Sequence, residues 1–158
     1  MEYIELLKSF GAKVGLADLE PMKDGIFSIE IDNMIVSFVE VPESRQLFTW
    51  ADVGEQPPEG RERLYRVLME SMHMGKATGG SFFSIDASTG NVTLSRIDSL
   101  LLLDLDSFTS MLERFVNVLE KWRHLLSEYR NGASDVESAA EVEHEESLRM
   151  MQRGFMQV

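Results

Sequence analysis

The sequence contains no cysteine and only three histidines among its 158 residues. The absence of cysteine excludes disulfide frameworks, thiol catalysis and cysteine-ligated zinc or iron–sulfur sites, and it fits a reducing, cytoplasmic compartment. His73, His124 and His144 lie in different segments, and none forms the i, i+4 pair that zinc hydrolases use. We therefore expect no metal and no other cofactor.

Positive charge is also scarce, because fifteen Lys and Arg face twenty-seven Asp and Glu, for a net charge of −12. This balance excludes nucleic acid and anionic membrane surfaces as expected partners, since both repel an acidic protein. The longest apolar run, Leu100–Leu103, is far too short to span a bilayer. The N-terminus has no basic segment followed by an apolar one, so we expect neither membrane insertion nor an export signal.

Motifs that would indicate catalysis are missing as well. No serine lies in a Gly-x-Ser-x-Gly elbow, and the glycines that follow Lys76 lack the order of a phosphate-binding loop. Asp104 and Asp106 lie at the start of a strong helical pattern, where capping explains them better than a paired general acid and base. The sequence therefore favours a protein that is not an enzyme.

The chain does contain enough apolar residues, 44%, for the core of one domain of this length. Apolar residues at steps of three and four predict three helices, and the third, from Leu105 to Tyr129, has the strongest pattern. Alternating apolar residues predict five strands, with a two-residue turn at Asp32-Asn33 between the first two. The predicted fold is α+β: a single domain of order α-β-β-β-α-β-β-α, in which an antiparallel sheet packs with helices. The predicted elements cover residues 3–14, 26–31, 34–41, 46–53, 61–74, 81–86, 92–97 and 105–129.

The composition changes after the third predicted helix. Residues 132–158 hold six acidic and two basic residues, a net charge of −4, and are rich in Glu, Ser and Ala. Leu148, Met151 and Phe155 have the spacing of one helical stripe, but this composition is more typical of a mobile appendage. We therefore predict a domain over 1–131 and an acidic C-terminal tail over 132–158.

The predicted strands at 34–41 and 46–53 carry apolar residues on both faces. A sheet covered by helices on one side needs a single apolar face, so the other face meets either more of this chain or a partner. The second helix has a similar surplus in Tyr65, Met69 and Met74. Methionines suit a subunit interface and core filling equally well, so both alternatives stay open at this point.

Four segments, in this order, resemble the class I type III secretion chaperones of the Tir chaperone (CesT-like) family. The resemblance covers roughly residues 3–130 and includes a "Gly…aliphatic-x-Asp…Gly-x-Val-x-Leu" hairpin and a last helix with Trp122-Arg123. The segments that carry it are Leu16–Leu19 with Asp24–Asp32, then Leu64–Met69, Gly79–Leu94 and Phe108–Leu126.

This resemblance implies a homodimeric cytoplasmic chaperone of a Gram-negative bacterium, without nucleotide hydrolysis. It would bind the N-terminal chaperone-binding segment of secreted effectors and keep it extended for export, with the export ATPase as a further candidate partner. The alternative is a regulatory binding module that sequesters a regulator or another chaperone. The effector-binding residues predicted on this basis are Phe27, Ile29, Ile35, Phe38, Phe48 and Trp50. The residues predicted for the dimer interface are Leu64, Leu68, Met69 and Met72.

Overall fold

A computed structural model of the chain describes residues 2–132. The predictions made for the acidic tail fall, from residue 133 onward, outside these described residues. Within them the elements follow the predicted order, so the α+β fold is confirmed. The helices are α1 (Tyr3–Lys13), α2 (Arg61–Met72) and α3 (Leu105–Arg130), and the strands are β1 (Phe27–Ile31), β2 (Met34–Val41), β3 (Gln46–Glu55), β4 (Phe82–Ile85) and β5 (Asn91–Ser99).

The five strands form one antiparallel sheet in the order β1-β2-β3-β5-β4. The turn between β1 and β2 is the predicted one, since Asp32 and Asn33 both have positive φ angles, 49° and 62°. A two-residue hairpin needs this left-handed backbone, which Asp and Asn tolerate better than most residues. The turn sets the register, pairing Phe27 with Phe38 and Ile29 with Val36.

The second helix ends earlier than its apolar pattern predicts. Regular helix stops at Met72 instead of Met74, and a 3-10 turn follows over His73–Gly75. Met74 and Gly75 both have positive φ angles, 58° and 66°, which no right-handed helix can contain. The chain therefore turns toward β4 at Met74, two residues after α2 ends.

Helices α1 and α3 cover one face of the sheet and form the core with it. The Phe108 ring of α3 lies 5.2 Å from the Phe10 ring of α1 and 5.7 Å from the Phe38 ring of β2, between ring centroids. The Tyr3 ring meets the Phe27 ring edge-on at 5.5 Å. Edge-on and tilted aromatic contacts add to the stabilisation that burial of the rings already provides.

The start of α3 is fixed by Asp104, one of the two residues predicted to cap it. The Asp104 carboxylate accepts the Ser107 backbone N–H at 2.8 Å, and the Ser107 hydroxyl accepts the Asp104 N–H at 2.9 Å. This reciprocal pair is a capping box. Hydrogen bonds from the Ser107 hydroxyl, and then from its backbone N–H, lower the pKa of the Asp104 carboxyl below its ordinary value.

Three of the predicted effector-binding residues belong to this core. Phe27 and Phe38 have no exposed surface and Ile29 is 3% exposed, because all three point to the face that α1 and α3 cover. A side chain with no exposed surface cannot touch a partner, so the assignment of these three residues to a partner-binding surface is corrected. The large apolar side chains of β1, and those on one of the two faces of β2, therefore belong to the core.

We expect Tyr3→Phe to destabilise the domain, because the buried Tyr3 hydroxyl shares its one proton between the Phe38 carbonyl at 2.8 Å and the Gly25 carbonyl at 2.9 Å. Loss of a buried hydrogen-bond partner costs about 1–3 kcal/mol in the free energy of unfolding, measured with urea. Tyr65→Phe is the comparison: it removes an exposed hydroxyl that donates to the Gln56 side chain, and it should cost less because water can replace an exposed bond.

Stability should also fall at alkaline pH. Burial raises the pKa of Tyr3 from 10.0 to about 12, so its neutral form is favoured by folding. This contribution is complete below pH 10 and is lost as the pH rises toward 12. The free energy of unfolding should fall less between pH 10 and pH 12 in the Tyr3→Phe variant than in the wild-type protein. An equal fall in both proteins would contradict the assignment of this pH dependence to Tyr3.

The two faces of β2 should respond very differently to a charge. Phe38→Asp buries an unpaired carboxylate and should cost more than about 3 kcal/mol, leaving little folded protein by circular dichroism. Ile35→Asp, on the same strand at a residue that is 62% exposed, should keep the native spectrum and melting temperature. A folded Phe38→Asp variant would contradict the assignment of this face to the core.

Candidate protein-binding surfaces

The face of the sheet opposite α1 and α3 carries an apolar patch across its central strands. One cross-strand row joins Val39, Phe48 and Ile97, on β2, β3 and β5. The neighbouring row joins Trp50 through Ser95 to Phe82 on β4. We call Val39, Phe48, Trp50, Phe82 and Ile97 the open-face patch.

The rings of this patch contact one another but keep part of their surface accessible. The Phe48 ring lies 5.7 Å from Trp50 and 6.3 Å from Phe82, between ring centroids. All three aromatic residues are only partly buried, and Ile97 is 48% exposed. An aromatic group held by its neighbours in this way offers contact area with little side-chain entropy left to lose on binding.

Polar pairs border the patch on both sides. The Ser28 and Ser37 hydroxyls lie 2.8 Å apart between β1 and β2, and the Ser84 and Thr93 hydroxyls lie 2.6 Å apart between β4 and β5. These hydroxyls satisfy each other, so the sheet needs no further element to cover them. Small polar residues around large aromatic ones produce a raised apolar centre with a polar rim, which is the usual anatomy of a protein interface.

Of the six residues predicted to bind an effector, Ile35, Phe48 and Trp50 lie on this face. The prediction did not include Val39, Phe82 or Ile97. The alternation of apolar residues in β4 and β5 was visible in the sequence, but Phe82 and Ile97 lie 34 and 49 residues from Phe48. Only the pairing of β3 with β5, and of β5 with β4, brings them together.

Helix α2 contributes a second surface. Leu64 and Leu68, both predicted for a dimer interface, are 2% and 5% exposed and pack into this chain's own core. Met69 is 68% exposed, whereas Met72 is partly buried and its sulfur accepts the Phe83 backbone N–H at 3.1 Å. We call the outward-facing residues the α2 outer surface. Its exposed residues are Arg61, Glu62, Arg63, Tyr65, Arg66, Met69 and Glu70, and the partly buried Met72 lies at its end.

Among residues 2–132, no three or more His, Asp or Glu side chains lie close enough together to hold a metal ion. No helix within this range is both long enough and apolar enough to cross a membrane.

Several solved structures are similar to this chain, among them three complexes. The ExsC-ExsE complex matches with 26% identity and a TM-score of 0.68, over 80% of this chain and 97% of that chain. The HopA1-SchA chaperone-effector complex matches with 14% identity and a TM-score of 0.62, over 77% and 93%. The Yersinia pestis type III secretion chaperone SycH, in complex with a fragment of YscM2, matches with 19% identity and a TM-score of 0.60, over 77% and 99%.

Comparison with curated protein sequences finds no significant match. The model of the Tir chaperone protein (CesT) family, in contrast, matches residues 5–123, which is most of the described chain. The family is one of secretion chaperones, a role that involves no catalysis. The chain therefore belongs to the Tir chaperone protein (CesT) family, as its sequence motifs predicted.

Proposed function

We propose that this protein is a cytoplasmic chaperone that binds the N-terminal segment of type III secreted effectors and keeps it extended for export. The observation that carries the proposal is the open-face patch, which places three partly exposed aromatic residues at the centre of a rigid sheet. A bound segment can remain unfolded there, because its apolar side chains find partners on the chaperone instead of within their own fold.

In this proposal the bound segment lies across the open face of the sheet and does not pair with the edge strand β4. The Phe83 N–H points away from β5 and is used by the Met72 sulfur, so α2 covers part of that edge. An extended segment that crosses this face presents every second side chain to it. These alternate side chains can contact the row formed by Val39, Phe48 and Ile97.

Charge favours a segment with basic residues. Glu30 on the neighbouring strand β1 and Asp52 on β3 are exposed beside the patch, and the chain as a whole carries a net charge of −12. An acidic rim attracts basic segments and discourages other copies of the same face. The proposed ligand is therefore an extended segment that combines apolar anchors with Lys or Arg.

The proposal includes a homodimer that uses α2. Because Leu64 and Leu68 are already buried within the chain, the interface is assigned to the α2 outer surface, with Met69 and Met72 as its predicted members and Tyr65 beside them. Methionine adapts to a partner surface at little cost in packing, which suits this position. The export ATPase stays a predicted partner.

The bound protein should be identified by purifying the tagged chain from its own bacterium under secretion-permissive conditions, with mass spectrometry of what co-elutes stoichiometrically. A secreted protein held through its N-terminal region is the expected result. A transcriptional regulator or another chaperone in its place would favour the sequestration alternative.

Phe48→Asp and Trp50→Asp should each weaken binding of that protein about 10- to 100-fold by calorimetry, because central aromatic anchors carry most of the energy of an interface. Met22→Asp is the control, since Met22 is 55% exposed in the loop between α1 and β1. Unchanged affinity in both patch variants, with native circular dichroism spectra, would overturn the placement of the site.

Met69→Asp should shift the protein from dimer to monomer, because it places a carboxylate in the apolar part of the proposed interface. Light scattering coupled to gel filtration measures the change, and Met22→Asp again serves as the control. A wild-type protein that is a monomer at every concentration would exclude the homodimer.

A further inference from the structure

The dipeptide Asn131-Gly132 directly follows Arg130, the last residue of α3. The sequence contains four asparagines, and only this one precedes a glycine. An asparagine side chain can react with the backbone nitrogen of the next residue, because the attack closes a five-membered ring. Glycine favours this reaction, since no side chain shields its nitrogen and its backbone reaches conformations that other residues avoid. The pair is therefore a candidate site of chemical modification.

Both residues of the pair are accessible to water in the folded domain, since Asn131 and Gly132 are exposed. The Gly132 N–H donates to the Tyr129 carbonyl at 3.2 Å, at the long end of the normal range. Hydrogen bonds at the end of a helix open easily, because helix ends fray. The attacking nitrogen therefore becomes free without unfolding of the rest of α3.

The contacts that hold the end of α3 stop just before this pair. The Tyr129 hydroxyl donates to the Gly60 carbonyl at 3.0 Å, and the Arg130 guanidinium pairs with the Glu55 carboxylate at 2.8 Å. Asn131 has φ −82° and ψ 5°, so its ψ angle must change to bring the next nitrogen toward its side chain. That rotation moves one peptide group and leaves both contacts in place.

The other three asparagines are held more firmly. Asn117 lies in the middle of α3, where the N–H of the next residue is used in the helix. The Asn91 side chain donates to the Asp52 carboxylate at 3.0 Å, and the valine after it has no exposed surface. Asn33 lies in the tight turn between β1 and β2, and the methionine after it is 4% exposed. These three residues therefore serve as internal references.

We propose that Asn131 is a site of spontaneous deamidation in the folded protein. The Gly132 nitrogen gives its proton to water and attacks the side-chain carbonyl carbon of Asn131. The new carbon–nitrogen bond closes a succinimide, the bond to the amide nitrogen breaks, and ammonia leaves. Water then opens the ring at either carbonyl and gives aspartate or isoaspartate. One water is consumed and one ammonia is released, so the reaction needs no oxidant and no cofactor.

Either product changes the charge at the end of α3. It places a carboxylate beside the unpaired carbonyls of the last helical turn, which already carry partial negative charge. Isoaspartate also lengthens the main chain by one methylene, so the hydrogen bond from Gly132 to Tyr129 is lost. The modification therefore loosens the helix end at its last residues, while the contacts of Tyr129 and Arg130 keep the remainder of α3 docked.

The test follows the full chain during incubation at mildly alkaline pH, in buffer and in urea. Peptide mass spectrometry measures conversion of amide to acid at each of the four asparagines. Asn131 should convert before the other three in the folded protein. Its rate should stay within about threefold of its rate in urea, because opening of a frayed helix end costs almost no free energy. Equal conversion at all four sites, or a larger slowing by the fold, would overturn the proposal.

Two glycine variants then test the role of the attacking nitrogen. Gly132→Ala should slow conversion of Asn131 at least about tenfold, because the added methyl restricts the backbone that must rotate. Gly15→Ala is the matched control. It also alters a glycine of positive φ just after a helix, here α1, with nothing near the added methyl, and it should leave the rate unchanged. Circular dichroism shows whether each variant is folded, and an unchanged rate in a folded Gly132→Ala protein would contradict the mechanism.

The pair belongs neither to the open-face patch nor to the α2 outer surface. Its deamidation is measured without any effector, so the result is independent of effector binding. This proposal and the proposed function can therefore fail separately.

Discussion

The packing of α1 and α3 on a single face of the sheet is the constraint on which the rest of this structure depends. Phe108 lies between Phe10 and Phe38 and joins both helices to β2, so the rings at the centre of that face are buried. Because both helices pack on that face, the side chains on the opposite face contact one another across neighbouring strands. The same packing that stabilises the domain therefore leaves the open-face patch available to a partner.

The two candidate surfaces use different physics. The open-face patch is made of large, partly exposed rings on a stiff sheet and is bordered by self-satisfied hydroxyl pairs, which favours an extended apolar segment. The α2 outer surface mixes arginines with adaptable methionine side chains on a helix at the side of the domain. The two surfaces therefore offer a partner different chemistry.

Local signals predicted most of the architecture. The Asp32-Asn33 turn, the capping residue Asp104 and the long apolar stripe of α3 each act within a few neighbouring residues, so they could be recognised without tertiary information. The end of α2 was predicted two residues too late. The left-handed backbone at Met74 depends on the path of the chain toward β4, which the apolar pattern of the helix does not contain. Half of the predicted effector-binding set was core for a similar reason, since burial depends on contacts distant in sequence.

By itself, the sequence determined the class of fold, the family and the presence of more apolar strand surface than one covered face requires. Strand alternation separates Ile35 from Phe38 into two faces, because successive side chains point in opposite directions. It does not state which face the helices will cover, since both contain large apolar residues. Only the tertiary structure decided that Phe38 is fully buried and Ile35 is 62% exposed, and only strand pairing brought Phe82 and Ile97 to Phe48.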